Sequence, residues 1–262
     1  MTSSQRVVKY AAIALAILII LSMISGVVWL FRNVFQIGIF NVYDNTPLSS
    51  ETYDLDNYKN ININVGASTL TIKSCDNSTL EITENIKYQV TNEELIIKDE
   101  NRRYNKNSHI TLCITNPTVF DNVIIDGGAG NISISNLEAK QVKFELGAGN
   151  VTIDNITSLK SFKLDGGAGD VKIFNALMTN ADIDMGVGNF TINGILSGDA
   201  DIDMGVGNLD ITLTDGLENY KFDVDKGIGD IKIDGIKKSS GVYGTGSTLV
   251  QIDGGVGNIK IK

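Results

Sequence analysis

Histidine and tryptophan are nearly missing from this chain, which contains one of each, His109 and Trp29. A single histidine disfavours enzymes that depend on histidine acid–base chemistry and metal sites built from several imidazoles. Positive charge is also scarce: the net charge is −9 and the pI is about 4.6. We therefore expect no nucleic-acid partner, because binding to phosphates requires a basic surface.

Cysteine is limited to Cys75 and Cys113, and neither belongs to a CxxC pair. This spacing does not support a zinc ribbon or a thioredoxin-like redox motif. Two interpretations remain open. The cysteines form one disulfide outside the cell, or they are two small buried residues.

Charge is absent from one long stretch near the N-terminus. Residues 7–31 are almost wholly apolar, and no charged residue occurs from Tyr10 to Phe31, a run of 22 residues. As a helix this run is about 33 Å long, enough to cross a bilayer. Arg6 and Lys9 precede the run, which predicts a cytoplasmic N-terminus and an extracytoplasmic remainder. We expect a single-pass protein of the cell membrane, with contact to lipid through residues 10–31; a cleaved signal peptide is the alternative.

Glycine, in contrast, is abundant and recurs in a short phrase. A glycine, a small apolar residue, a second glycine and Asn or Asp precede a strand-like segment seven times, starting at Gly128, Gly147, Gly167, Gly186, Gly205, Gly227 and Gly255. The first four intervals are 19, 20, 19 and 19 residues, and the last two are 22 and 28. A fixed period of this length predicts an all-β fold, a parallel β-solenoid with about 20 residues per coil.

Apolar and polar residues alternate on both sides of each glycine phrase. The residue six positions after the first glycine is always isoleucine, as in Ile134 and Ile153. Alternation with a period of two places these side chains in a shared interior. We expect the chain to divide into four segments. Residues 1–32 form a cytoplasmic tip with a transmembrane helix, and residues 33–58 form a juxtamembrane stalk. Residues 59–122 form a cap with irregular coils, and residues 123–262 form the regular coils.

The glycine pairs predict tight corners where neighbouring coils approach closely. The corner glycines are Gly128, Gly130, Gly147, Gly149, Gly167, Gly169, Gly186, Gly188, Gly205, Gly207, Gly227, Gly229, Gly255 and Gly257. The asparagines that follow predict a ladder of side-chain amides along the solenoid axis. We expect Asp170 and Asp230, which occupy two of these positions, to interrupt that ladder.

An acid lies two residues before each first glycine, at Asp126, Glu145, Asp165, Asp184, Asp203, Asp225 and Asp253. Stacked about 4.8 Å apart, neighbouring carboxylates repel by about 0.9 kcal/mol at the dielectric of water. Lys143 and Lys163 lie two residues before two of the acids and offset part of this repulsion. In the next three units that position is acidic, so six carboxylates are expected to cluster: Asp182, Asp184, Asp201, Asp203, Asp223 and Asp225. The cluster predicts a weak Ca²⁺ site; a solvated acidic face is the alternative.

Other sequence motifs for ligands or catalysis fail in detail. The calcium-binding nonapeptide requires an acid where this chain has Ile132, Val171 or Phe190. The Gly-x-Gly elements lack the third glycine of a dinucleotide fold, and no phosphate-binding Lys-Ser/Thr follows them. No catalytic triad can be assembled around His109. We therefore expect a protein that is not an enzyme and that holds no cofactor beyond weakly bound Ca²⁺.

The serial unit of strand, acid, Gly-x-Gly, Asn or Asp and strand, with the Asn116-Pro117 lead-in, resembles the bacterial DUF4097 family over about residues 50–262. That family is described as adhesin-like "toast-rack" β-repeat proteins, and some relatives are linked to envelope stress. The resemblance implies a non-enzymatic surface-binding module with an envelope, cell-wall or protein partner. The alternatives are an envelope-stress sensor or scaffold that couples to a membrane partner, and a solenoid that assembles with copies of itself.

Overall fold

The structure, a computed structural model, describes residues 47–99, 107–115 and 118–262. Strands dominate these residues, which contain one short 3-10 turn at Leu217–Asn219 and no α-helix. The predicted all-β fold is confirmed. The predicted transmembrane helix at residues 10–31 lies outside the described residues. Within them, no helix has the length and apolar character needed to span a bilayer.

Within the described residues, nineteen strands form one open sheet system. Their bounds are β1 Ser50–Asp54, β2 Asn60–Val65, β3 Thr69–Cys75, β4 Thr79–Thr83, β5 Ile86–Thr91, β6 Glu94–Asp99, β7 His109–Thr115, β8 Val119–Gly127, β9 Ile132–Ala148, β10 Val151–Ala168, β11 Val171–Val187, β12 Phe190–Val206, β13 Leu209–Leu213, β14 Tyr220–Ile228, β15 Ile231–Ile233, β16 Ile236–Lys238, β17 Gly241–Tyr243, β18 Thr248–Val256 and β19 Ile259–Ile261.

Each coil consists of a leading arm before the glycine corner and a trailing arm after it. In the first full unit, β8 is the leading arm and the start of β9 is the trailing arm. The long strands β9 to β12 each run from the trailing arm of one coil into the leading arm of the next. In β9 to β11 the chain bends at Asn136, Asn155 and Asn175, whose φ angles are 57°, 60° and 51°. Asparagine tolerates this left-handed conformation better than most side chains.

Neighbouring coils pair in parallel and in register. Val151 lies opposite Val171, and Ile153 lies opposite Ile173, so equivalent positions of successive units are neighbours in space. The isoleucines six residues after the first glycine are buried, with exposures of 1% or less at Ile134, Ile153, Ile173, Ile192, Ile211 and Ile261. The predicted stack of coils around a common interior is therefore present.

The order of the last two coils differs from their order in the sequence. Leading arm β18 pairs with β12 on one side and with β14 on the other, and β19 lies between β13 and β15 in the same way. The final coil of the chain is thus inserted between the coils of Gly205 and Gly227. The simple expectation that consecutive units are consecutive in space is wrong at this end.

The interval of 22 residues between the corners of Gly205 and Gly227 leaves room for the final coil to be inserted between them. The extra residues form the 3-10 turn Leu217–Asn219, which carries the chain past one level of the stack. Tyr220 anchors this detour: its buried hydroxyl donates to Asp215 Oδ1 at 2.7 Å and accepts the Leu196 amide at 3.2 Å. The vacant level is then filled by β18 and β19.

Both ends of the stack are closed by antiparallel strands. β5 covers β6 and β1 covers β4 at one end, while β17 covers β14 and β16 covers β15 at the other. Ser50–Asp54, inside the predicted stalk, thus belong to the folded sheet. Near the first end a disulfide joins Cys75 at the end of β3 to Cys113 in β7, so the two cysteines are paired.

Candidate functional site

The glycine corners are the tightest contacts between coils. A Cβ added to Gly128 would lie 2.2 Å from the carbonyl oxygen of Gly66, and one added to Gly207 would lie 1.6 Å from that of Gly188. From Gly149 onward, the second glycine of each corner also adopts positive φ, for example 145° at Gly207. No other residue fits both constraints, so the corners form a continuous backbone surface along the stack.

The asparagine ladder is present and continues through Asp170. The Asn189 backbone and side-chain amides both donate to Asp170 Oδ1 at 3.0 Å, while the Asp170 amide donates to Asn150 Oδ1 at 3.2 Å. These donors hold the pKa of Asp170 below its usual value. The expected interruption at Asp170 is therefore wrong, because a carboxylate accepts the same bonds as an amide oxygen.

Asp230 lies where the ladder ends. Its amide donates to Asn258 Oδ1 at 3.0 Å, and its carboxylate contacts Lys237 Nζ at 2.7 Å. Lys237 belongs to capping strand β16, and it holds the pKa of Asp230 below its usual value. An acid at this position thus joins the last coil to its cap.

The acids two residues before each corner form one column on the outer face of the leading arms. Their spatial order is Asp126, Glu145, Asp165, Asp184, Asp203, Asp253 and Asp225. The predicted column is therefore present, with its last two members exchanged. We call this set the acid column.

The predicted cluster of six carboxylates is not formed as expected. Asp182 and Asp201 are neighbours, but Gln251 of the inserted coil lies between Asp201 and Asp223. The six acids therefore span four coils instead of three. No group of three potential metal-binding side chains occurs within the described ranges; a weak Ca²⁺ site stays a prediction.

Charge compensation differs between the two halves of the acid column. In the first half, Lys143 pairs with Glu145, and Lys163 lies 3.5 Å from Asp165 and 2.9 Å from Asp182. In the described part of the chain, the ion pairs do not include the acids of the second half, which are Asp184, Asp203, Asp253 and Asp225. The charge of Lys163 still acts on Asp184 and lowers its pKa in part.

In the second half of the acid column, two carboxyl groups have a raised pKa. Partial burial raises the pKa of Asp203, and the carboxylates of Asp201, Asp184 and Asp253 raise it further. Burial and neighbouring carboxylates also raise the pKa of Asp184. These shifts indicate accumulated negative charge, which a positively charged ligand would relieve.

A groove of about 900 Å³ follows this half of the column. It is lined by the first corner glycines, by the acids from Asp165 to Asp225, and by the residues between them, including Leu146, Met185 and Met204. Gly166 makes room for a methionine, since a Cβ there would lie 2.2 Å from Met185 Sδ. Lys226, at the end of the groove, donates to the carbonyl oxygen of Gly229 in its own corner. The lining therefore combines carboxylates, thioethers and backbone.

A second surface feature follows the corners themselves. The residue between the two glycines is Ala129, Ala148 and Ala168 in three coils and then Val187, Val206, Val256 and Ile228 in the next four. The last four side chains are 46% to 70% exposed. We call these four residues the corner ridge. Sequence reasoning treated this position only as small and apolar, although its increase in size was visible in the repeat.

Several solved structures are similar to this chain at low sequence identity. A candidate cell adhesion protein from Clostridium sporogenes is 17% identical, with a TM-score of 0.37, over 82% of this chain and 100% of that chain. A candidate adhesin from Bacteroides fragilis is 15% identical, with a TM-score of 0.39, over 85% and 100%. A candidate lipid binding protein from Parabacteroides distasonis is 12% identical, with a TM-score of 0.34, over 83% and 98%.

No curated protein matches the chain. The family model Toastrack DUF4097 matches residues 58–262. That range includes every coil and every corner described above. Because the match extends over most of its length, the chain belongs to the Toastrack DUF4097 family.

Proposed function

We propose that this protein is a non-enzymatic binding module that recognises a positively charged envelope, cell-wall or protein ligand along the groove. The observation that carries the proposal is the acid column beside the groove, whose second half takes part in no ion pair among the described residues. Acids held in register by a rigid stack are already ordered, so little conformational entropy is lost when a cation binds. Their summed field also attracts a cationic ligand from a distance.

A position outside the cytoplasm, with an anchor at residues 10–31, is part of the proposal. The Cys75–Cys113 disulfide supports it, because disulfides persist mainly in oxidising compartments. The absence of an enzyme activity is supported by the repetition of the acids in every coil, which provides no unique pair for acid–base chemistry. His109, the one histidine, contacts Glu81 at 3.5 Å across β7 and β4 and lies away from the groove.

The end of the stack formed by β16 and β17 argues against self-assembly as the main function. Strands β16 and β17 contain three residues each, and β16 carries Lys237 and Lys238. Very short, lysine-bearing edge strands oppose the addition of further strands. We therefore place the binding surface on the groove and not on the sheet edges.

Binding of fluorescent oligolysine to the full chain in zwitterionic lipid nanodiscs tests the proposal. We expect saturable binding that weakens as salt is added, no binding of oligoglutamate, and about fivefold weaker binding for the double variant Asp203→Asn/Asp253→Asn. The matched control, Asp199→Asn/Glu218→Gln, removes the same charge from exposed positions that do not line the groove. Equal losses in both variants would contradict a site in the groove, as would an absence of oligolysine binding.

A further inference from the structure

One interior row of side chains runs through the stack and meets a charged residue at each end. The apolar members of this row lie in adjacent strands and are each 4% exposed or less: Ile82, Ile110, Leu70, Ile132, Val151, Val171, Phe190, Leu209, Ile259 and Ile231. Glu51 of β1 lies opposite Ile82 at the first end, and Lys238 of β16 lies opposite Ile231 at the other. Residues that lie opposite one another in paired strands share a face of the sheet, so both charged residues occupy core-side positions. We call the end capped by β16 and β17 the last end.

Lys238 lies across the last end of the interior. A two-residue turn at residues 234–235, with φ angles of 50° and 72°, folds β16 directly back onto β15. The Lys238 ammonium lies 5.3 Å from the ring centroid of Tyr243 in β17, which lies opposite the buried Phe222 on the other arm. The Tyr243 hydroxyl donates to the Ser239 carbonyl oxygen at 2.6 Å. Lys238 and Tyr243 thus join the caps of the two arms through a cation–π contact.

The first end has a similar arrangement with an acid in place of the lysine. The Tyr53 hydroxyl of β1 donates to the Glu51 carboxylate. The rings of Tyr53 and Tyr88 have centroids 4.7 Å apart, and Tyr88 belongs to β5, the cap of the other arm. At both ends, therefore, a charged residue stands in the interior row and a tyrosine contact joins the two cap strands.

Without its charge, the last end would suit a second copy of the chain. Beside Lys238, Ile236 lies opposite the buried Ile233 and is 59% exposed. Among the described strands, β16 pairs with β15 alone, so its other edge carries unpaired backbone groups. Two copies of β16 aligned antiparallel about Lys237 would place Ile236 of one copy opposite position 238 of the other. An apolar side chain there would extend the interior, whereas the ammonium would lose its water in an apolar layer.

We propose that Lys238 is a stop residue, whose inward-facing charge prevents the last end from pairing with the last end of a second copy. Inward-pointing charges on edge strands are a known means of blocking strand addition. An identical end is the partner that is excluded, because a closed two-fold pair would bury the same apolar positions of both copies. The first end is a poorer partner, since it carries Glu51 in the same row and an ion pair buried between copies would still lose its hydration. The inference does not involve the groove and is independent of the proposed function.

The test measures the particle mass of the full chain in nanodiscs that hold one copy each, by mass photometry over increasing concentration. Lys238→Met removes the charge and keeps a long side chain that can contact the Tyr243 ring. We expect this variant to form particles of twice the mass, because both interior rows then end in apolar residues. The unmodified protein and Lys238→Arg, which retains the charge, should stay single. Far-ultraviolet circular dichroism checks that each variant keeps its strands.

The matched control is Lys232→Met. Lys232 is an exposed residue of β15 and lies opposite Lys237, so it shares the outer face of the sheet and not the interior row. The change removes the same charge one strand away from the edge. We expect the control to stay single.

Salt separates this mechanism from simple repulsion between surface lysines. Lys237 of β16 has a side chain that is 69% exposed, and it would face its own copy in such a pair. At about 1 M salt the screening length is about 3 Å, so repulsion between exposed lysines is largely removed. The cost of dehydrating Lys238 remains, because it does not depend on a second charge. We therefore expect the unmodified protein to stay single in low and in high salt.

Pairing of the unmodified protein at high salt would overturn the inference, even if a variant failed to fold. A folded Lys238→Met that stays single would overturn it too, as would equal pairing of Lys238→Met and Lys232→Met. Oligolysine binding is measured separately, and its loss would contradict the proposed function alone.

Discussion

Substituting Gly257 by alanine should disrupt the contact between the inserted coil and its neighbour. A Cβ at Gly257 would lie 1.6 Å from the Gly207 carbonyl oxygen, and φ at Gly257 is 149°. Nonbonded heavy atoms are comfortable at about 3.5 Å, so the two corners must separate by about 2 Å. At least three of the hydrogen bonds between these coils then break. They run from Gly207 N to Val256 O, from Leu209 N to Asn258 O and from Asn258 N to Asn208 Oδ1, at 2.8, 2.9 and 3.1 Å.

The magnitude follows from these contacts. At about 1 kcal/mol net for each hydrogen bond, the loss is about 3 kcal/mol before any backbone strain is counted. That is a large fraction of the 5–15 kcal/mol that typically stabilises a domain. Gly235→Ala is the matched control, since Gly235 also has positive φ, 72°, but no atom lies within 4 Å of its Cβ position. We expect a loss of about 1 kcal/mol there, from the left-handed conformation alone.

Urea unfolding of the full chain, monitored by far-ultraviolet circular dichroism, measures the loss of unfolding free energy in both variants. Gly257→Ala should lower the free energy of unfolding by at least about 2 kcal/mol more than Gly235→Ala. Equal losses would refute the reasoning, because both variants would then report only the backbone conformation of glycine and not the approach of two coils.

Three further predictions concern charge, a buried hydroxyl and the disulfide. Asp203→Asn should raise the melting temperature at pH 7, and the gain should vanish below about pH 3, because a raised pKa means that ionisation of this carboxylate destabilises the fold. Tyr220→Phe should cost about 1–3 kcal/mol in urea unfolding, since the Leu196 amide loses its buried partner; an unchanged midpoint would contradict the anchoring role. Replacing Cys75 and Cys113 by serine should cost about 2–4 kcal/mol for a sequence separation of 38 residues, and adding reductant to the native protein should reproduce that loss.

The repeat made most of the architecture predictable from the sequence. Isoleucine recurs at one position of every unit, and a small residue between two glycines recurs at another, so the sequence itself aligns the coils. The acid column followed from the same alignment, because each member shares its distance from a corner. The pairing of the cysteines did not follow, since β3 and β7 become neighbours only through the irregular coils.

The order of the last coils could not be obtained from the repeat. The unit of Gly255 fits the pattern equally well beside Gly205 or beyond Gly227, and only the intervals of 22 and 28 residues point to a detour. This choice decides the site. Beyond Gly227, the last coil would leave Asp223 beside Asp201; in its actual place it brings Gln251 between them.

The insertion of the final coil can be tested directly by disulfide cross-linking. Asp201 and Gln251 are partners in adjacent strands, about 4.8 Å apart, which suits a disulfide, whereas Asp201 and Asp223 are two strand spacings apart and beyond its reach. In the native background, mild oxidation followed by peptide mass spectrometry should show a cross-link in Asp201→Cys/Gln251→Cys and none in Asp201→Cys/Asp223→Cys. The reverse pattern would contradict the account, because the coils would then stack in sequence order.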